Sequence, residues 1–302
     1  MSGKLKEVKD RIESVKSTQQ ITKAMKLVAA SKFKKATDRI VQMRPYSVKL
    51  GEMLGNIVTA TEGDVKLELA EERTSIDNML LAVITSDKGL CGGFNANIIK
   101  QAKLVIEANI DLYNAGKISL MPIGKKAKDA FKKDKNLTII DEHLDLFSKL
   151  NFDNSVEAIE FILDGYTNGQ FDKVNVCYAQ FVNAAVQNFK TVDFLPIPKI
   201  EGQATPGDDG KKSAKSDYIF EPDKFTLIQE LAPKILKTQF YSYLLDSNAS
   251  EHGARMTAME NASENANAML KDLKIAYNKA RQAAITTELT EIVSGAAALK
   301  GG

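Results

Sequence analysis

Met256, Met259, Ser263, Ala266, Leu270, Leu273, Tyr277, Ala280 and Ala284 recur at alternating spacings of three and four residues near the C-terminal end of the chain. A strict seven-residue repeat confines these positions to one narrow stripe of a helix, and such a stripe closes on another helix rather than on a sheet. The helix that carries it is expected over residues 223–299, about 75 residues, which at 1.5 Å per residue is on the order of 110 Å. That is far longer than a globular domain is wide. Pro233 predicts a bend near its start, and Gly253 costs about 1 kcal/mol relative to Ala in a helix interior.

The other end of the chain carries a partner pattern. Leu5, Val8, Ile12 and Val15 share the three- and four-residue spacing, and after the polar Ser17-Thr18-Gln19-Gln20 apolar residues resume at Ile21, Met25, Val28 and Ala29, then Phe33, Ala36, Ile40 and Met43. Read by hydrophobicity, this is a coiled-coil stripe with a register break. No glycine lies between Lys4 and Leu50, so Pro45 is the expected site of a kink or a local end. Both stripes are rich in small residues: Ala29, Ala30 and Ala36 against Ser263, Ala266, Ala280 and Ala284. A chain that enters by one such helix and leaves by the other is most simply closed by an antiparallel two-helix seam.

Between the ends the texture changes. Residues 78–85 form a continuous apolar run, the pattern of a strand buried on both faces. Further strands are expected over residues 117–123, 137–140, 174–181 and 189–195, with helical patterns at 94–114, 125–132 and 155–166. Alternating strand and helix, ending in two strands a hairpin apart, predicts an open α/β (Rossmann-like) sheet with an antiparallel pair at its end. Residues 201–217 are rich in Gly, Asp, Lys and Ser and are expected to form a flexible loop. The fold class is thus α/β plus a long antiparallel coiled coil. Its parts are an N-terminal helix (1–58), a central α/β domain (76–200), a loop (201–222) and a C-terminal helix (223–302).

Several function classes fall away. No run of about 18 apolar residues is present, so no bilayer-spanning helix is expected. No apolar signal core precedes the first helix, so secretion is not expected. Cys91 and Cys177 are too few for a disulfide framework and read as small buried thiols. With His143 and His252 the only histidines, neither a zinc site nor a Ser/His/Asp or Cys/His constellation assembles, and no cofactor is expected. The turn Ser86–Gly93 sits where a dinucleotide fold carries its phosphate loop, but its spacing is neither GxGxxG nor GxxxxGK[ST].

Charge is unevenly spread. Residues 1–50 hold thirteen Lys and Arg against four Asp and Glu, net +9, in a chain of net +2, so the remainder carries −7. A basic helix suits a solvated face, a nucleic-acid arm or an acidic protein partner. Two rivals to a shaft follow: an α/β nucleotide-binding enzyme with helical oligomerisation arms, and a nucleic-acid scaffold. Neither accounts for heptads at both termini, and the first helix lacks interleaved aromatics.

The quoted motifs match a family. Residues 21–32 (ITKAMKLVAASK), the turn at 85–95 with its Gly-Leu-Cys-Gly-Gly, Ala249-Ser250-Glu251-His252 with Arg255-Met256, and the block 277–298 resemble the gamma subunit of bacterial F-type ATP synthases, in the family's order and spacing. The resemblance implies a non-catalytic rotor: a coiled coil threaded through a ring of three alpha and three beta subunits, above an α/β domain that contacts epsilon and the membrane-embedded c-ring. It implies no nucleic-acid partner, proton transport as the coupled process, and a peripheral place on the cytoplasmic face of the bacterial plasma membrane. Carried over by position, Arg281, Gln282, Thr286 and Glu288 would grip a beta-subunit loop. Met25, Lys26 and Cys91 would contact beta at the neck, opposite an acidic segment. The tip residues Ile292, Val293, Ala296, Ala297 and Leu299 would turn in an apolar sleeve made by alpha and beta. The chain departs from the family pattern at Thr287, where Gln is usual, at Gly253, where Ala is usual, and in the added Lys300-Gly301-Gly302. The cysteine-bearing insertion of chloroplast relatives is not seen, so thiol regulation is not expected.

Overall fold

The computed structural model describes residues 3–60, 68–71, 73, 75–197 and 224–300, with side chains at all of these except 52, 54–60, 224–228 and 297–300. Helix α1 spans Gly3–Ala60 and helix α6 spans Lys224–Lys300. Between them run β1 (Met79–Ile84), α2 (Phe94–Ala108), α3 (Ile110–Asn114), β2 (Ile118–Ile123), α4 (Lys125–Phe131), β3 (Leu137–Ile139), α5 (Phe152–Thr167), β4 (Lys173–Phe181) and β5 (Gln187–Leu195). The expected flexible loop at 201–217 lies outside the described residues.

The five strands form one sheet in the order β3-β2-β1-β4-β5. β1 pairs in parallel with β2 and β4, and β3 pairs in parallel with β2, while β5 returns antiparallel to β4. Every residue of β1 is buried, as its unbroken apolar run requires of a central strand. One face of the sheet is covered by α2 and α4, with Leu81, Val83, Leu120 and Cys177 meeting Phe94, Ile98 and Phe131. The other is covered by α5 and the first half of α6, where Leu80, Ala82, Met121 and Val176 meet Ile159, Ile162, Ile235, Leu236 and Phe240. At about 1.5–3 kcal/mol for each fully buried large aliphatic or aromatic side chain, these two layers hold the domain together.

Local chemistry adjusts the expected elements. The helical pattern at 94–114 breaks at Asn109, whose side-chain amide donates to the carbonyl of Val105 and competes with the helical ladder. Gly124 joins β2 to α4 at φ +98°, where an added Cβ would overlap the carbonyl oxygen of Thr85, so this turn requires glycine.

Pro45 neither ends nor interrupts α1. Its missing N–H frees only the carbonyl of Val41, and both residues are exposed on the outer side of the helix, where water supplies the lost partner. Pro233 likewise lies inside α6.

The chain divides into two compact units, Lys32–Ala254 on the one hand and Met1–Ser31 with Arg255–Gly302 on the other; the boundary falls inside both long helices. Among the described residues no helix is long and apolar enough to cross a membrane.

Candidate interaction surfaces of the terminal helices

In the unit made of the two chain ends, α1 and α6 pair side by side in opposite directions. Gln19 donates to Asn267, Thr22 meets Ser263 at 2.7 Å, and Lys26 Nζ donates to Glu260 at 2.6 Å. As α1 advances from 19 to 26, its partner on α6 recedes from 267 to 260.

Burial traces the seam on each helix. On α6, Met259, Ser263 and Ala266 are buried and Leu270, Leu273, Tyr277, Ala280 and Ala284 are half-buried, while the positions between them from Asn267 to Ala283 are exposed. The heptad read from the sequence is the contact stripe.

On α1 the expectation of a register break is wrong. Positions 5, 8, 12, 15, 19, 22, 26, 29, 33, 36, 40 and 43 are all buried or half-buried, in unbroken three-four alternation, with Met25, Ala30 and Thr37 half-buried at its margin. Gln19 and Thr22 sit inside the seam, while Ile21 and Val28 are exposed. The polar residues are tolerated there because each finds a polar partner on the facing helix, which removes most of the desolvation penalty. Hydrophobicity misled because the partner was out of view. Counting the heptad forward from Val15 without regard to polarity reaches Gln19, Thr22 and Lys26 directly.

Each expected site residue takes a definite place. Met25 and Lys26 are half-buried at the edge of the seam, and the ammonium of Lys26 is committed to Glu260, with side-chain exposures of 36% and 45%. Arg281, Gln282, Thr286 and Glu288 are exposed, and the Thr286 hydroxyl is turned back onto the carbonyl of Gln282. Ile292 and Val293 are each 66% exposed and Ala296 is exposed; the side chains of Ala297 and Leu299 lie outside the described residues. The pairing explains this exposure. Carried back to Leu5, the first buried residue of α1, it brings Leu5 opposite the Ala280–Ala284 stretch of α6, so α6 beyond that point has no described α1 residue beside it. Its apolar side chains are left for something else to cover.

Cys91 faces inward from its turn. Its thiol is buried, 3.2 Å from Asn95 Nδ2 and 3.7 Å from the Ser86 hydroxyl, and Ser86 also donates to the carbonyl of Lys88. The apolar side chain this turn offers outward is Leu90, 66% exposed and held at φ +64°.

Comparison with known proteins decides what kind of chain this is. The family model described as ATP synthase matches residues 4–299. The ATP synthase gamma chain of Cytophaga hutchinsonii is 50% identical over 297 residues, covering 98% of this chain and 98% of that one. The chain belongs to the ATP synthase gamma family. Another member, from Chlorobium phaeobacteroides, is 46% identical over 300 residues, 98% of this chain and 99% of its own.

Solved structures carry the same fold. A chain of the Euglena gracilis mitochondrial ATP synthase, in a structure of OSCP, F1 and c-ring, superposes with a TM-score of 0.65 at 20% identity, covering 100% of this chain and 96% of its own. A chain of the Tetrahymena thermophila mitochondrial enzyme, in a structure of the central stalk and c-ring, gives 0.55 at 26% identity, covering 80% and 99%.

Proposed function

We infer that the chain is the central-stalk rotor subunit of an ATP synthase, carrying torque between an ion-driven c-ring and the catalytic beta subunits. The observation that carries this reading is the full-length match to gamma chains combined with two continuous terminal helices paired antiparallel through the Gln19–Lys26 and Glu260–Asn267 layers. A single asymmetric shaft cannot meet three catalytic subunits identically. Each of its orientations stabilises a different set of beta conformations, and only that difference in interaction free energy drives nucleotide uptake and release. No catalytic step is assigned to this chain; the chemistry belongs to the beta subunits.

Four exposed residues, Arg281, Gln282, Thr286 and Glu288, are proposed as the polar grip for a beta-subunit loop. Met25, Lys26 and the turn bearing Cys91 are proposed as the neck contact, with the basic α1 facing an acidic beta segment and Leu90 as the outward anchor of the turn. Ile292, Val293 and Ala296, with Ala297 and Leu299, are proposed to turn within an apolar sleeve of alpha and beta. The α/β domain is proposed to meet epsilon and the c-ring, which would hold the chain peripherally at the cytoplasmic face of a bacterial plasma membrane in a proton-coupled complex.

Reconstitution tests the reading. Alpha and beta subunits mixed with this chain should assemble as three, three and one and hydrolyse ATP. A bead on the α/β domain should then rotate in one direction in steps of a third of a turn. Assembly without rotation, or hydrolysis that is the same with and without the chain, would rule it out.

A further inference from the structure

We propose that the outer end of β4 and four side chains of the long helices form the joint through which torque passes between the sheet and the shaft. The inference rests on the central-stalk reading above and assigns a role to Arg44, Asp246, Ser247 and Ser250, none of which is a proposed partner contact.

β1 pairs with β4 only as far as Val83 opposite Cys177, so the edge of β4 beyond Cys177 loses its neighbouring strand. Residues two apart on a strand present their N–H and C=O to the same edge, and buried backbone groups require partners. Ala179 and Phe181 are two such residues.

Side chains replace the missing strand. The N–H of Ala179 donates to the Ser247 hydroxyl at 3.1 Å, and the Ser250 hydroxyl donates to the Ala179 carbonyl at 3.2 Å. The N–H of Phe181 donates to the Asp246 carboxylate, and Arg44 Nη2 donates to the Phe181 carbonyl at 3.0 Å. Arg44 also reaches Asp246 Oδ1 at 3.5 Å, which links the two helices at the same level. Ser247 and Ser250 lie three apart on α6 and so share a face, which is why one helix can hold both ends of a single peptide unit. Four directional bonds continue the β ladder onto α1 and α6.

Surrounding packing keeps the serine side of this joint dry, while Arg44 lies at its solvent edge. Tyr178 stacks on Tyr243 with ring centroids 4.4 Å apart, Phe181 meets Phe33 edge-on at 5.7 Å, and Ala36, Ile40, Leu245 and Ala249 close the space beside it. Ser247 and Ser250 are 1% and 0% exposed, so water does not compete for their bonds. Elsewhere the helices meet the sheet through apolar contacts such as Phe194 against Phe240. Apolar contact is non-directional and resists sliding weakly, whereas an aligned hydrogen bond weakens steeply when sheared. A force turning the sheet about the helices therefore loads these four bonds first.

The test uses the whole complex in sealed membrane vesicles with S247A/S250A. ATP hydrolysis by detergent-released, unloaded complex should match the unsubstituted protein. Ions pumped per ATP hydrolysed, measured against an imposed gradient, should fall several-fold, and S247T/S250T, which keeps both hydroxyls, should restore it. Unchanged pumping per ATP in S247A/S250A combined with Arg44→Ala overturns the joint. Equal loss of hydrolysis and pumping, with no recovery in the threonine variant, overturns it as well by showing a merely structural role. Failure of the unsubstituted chain to support ATP-driven pumping at all would instead sink the rotor reading on which the joint depends.

Discussion

Thr22 and Ser263 meet hydroxyl to hydroxyl at 2.7 Å inside the helix seam, where a coiled coil ordinarily places aliphatic side chains. Each also lies within hydrogen-bond distance of a carbonyl on its own helix, Thr22 of Gln19 at 3.0 Å and Ser263 of Met259 at 2.8 Å. With one proton on each hydroxyl, only two of these three contacts can be made at once, and the pair's effect is on register: sliding one helix by a turn parts Thr22 from Ser263 and Gln19 from Asn267. Replacing Ser263 alone with Ala should cost about 1 kcal/mol, the net worth of a typical hydrogen bond. Replacing both, as T22V/S263A, should be nearly neutral in urea unfolding but loosen the register. Cysteine pairs at 26/260 and at 26/256 report this: only the first should cross-link in the unsubstituted seam, and both in the double variant.

Gly253 packs against the hairpin turn that follows β4. An added Cβ would lie 3.1 Å from the Ala184 carbonyl oxygen, 3.2 Å from its Cα and 3.1 Å from a ring carbon of Phe33. Gly253→Ala gains about 1 kcal/mol of helix propensity. Because backbone must yield on one side, we expect overpacking of about 1–3 kcal/mol to win. The melting temperature should fall, and a second change, Phe33→Leu, should recover part of the loss by opening the other side.

Asp246 gives the chain a pH signature. Burial raises its pKa from 3.8 to about 6, against the opposing pull of Arg44, the Phe181 N–H and Lys190. A folded pKa above the unfolded one means that the stabilisation is full below about pH 4 and is lost as pH rises through about 6. At 1.36 kcal/mol per unit, the loss approaches about 3 kcal/mol. Asp246→Asn keeps an acceptor for the Phe181 N–H and removes the titration. Its stability between pH 4 and 7 should therefore run flatter than that of the parent chain in denaturant titrations at fixed temperature.

Arg281 and Gln282 test the proposed grip separately from folding. Both are exposed, so R281A/Q282A should leave the unfolding free energy within about 0.5 kcal/mol of the parent. In the assembled complex ATP hydrolysis and synthesis should both drop. Unchanged activity would remove the assignment.

Both thiols should resist modification. Cys177 is fully buried and its pKa is pushed up to about 11 by burial, so little reactive thiolate exists at neutral pH. Cys91 is buried behind Leu90 and Asn95. Alkylation at pH 8 should follow global unfolding, and rapid labelling of the native chain would contradict the burial.

The sequence by itself determined the kinds of element and their order. A buried parallel strand needs apolar residues on both faces, so the run at Met79–Ile84 was legible; a helix seam needs a seven-residue repeat, so Met259–Ala284 was legible as well. The family motifs at 21–32, 85–95 and 277–298 placed the chain in its family and marked the surfaces proposed for partner contact. Tertiary structure alone decided what depends on a partner remote in the chain. Gln19 and Thr22 look like an interruption until Asn267 and Ser263 stand opposite them. Pro45 looks like a helix end until its lost bond proves to face solvent, and only the folded turn sets Cys91 inward and Leu90 outside. Ser247 and Ser250 look like ordinary helix residues until the abandoned edge of β4 arrives between them. Periodicity and propensity are local and survive in one dimension. Satisfaction of a buried polar group is a property of two segments at once, and only the folded chain brings them together.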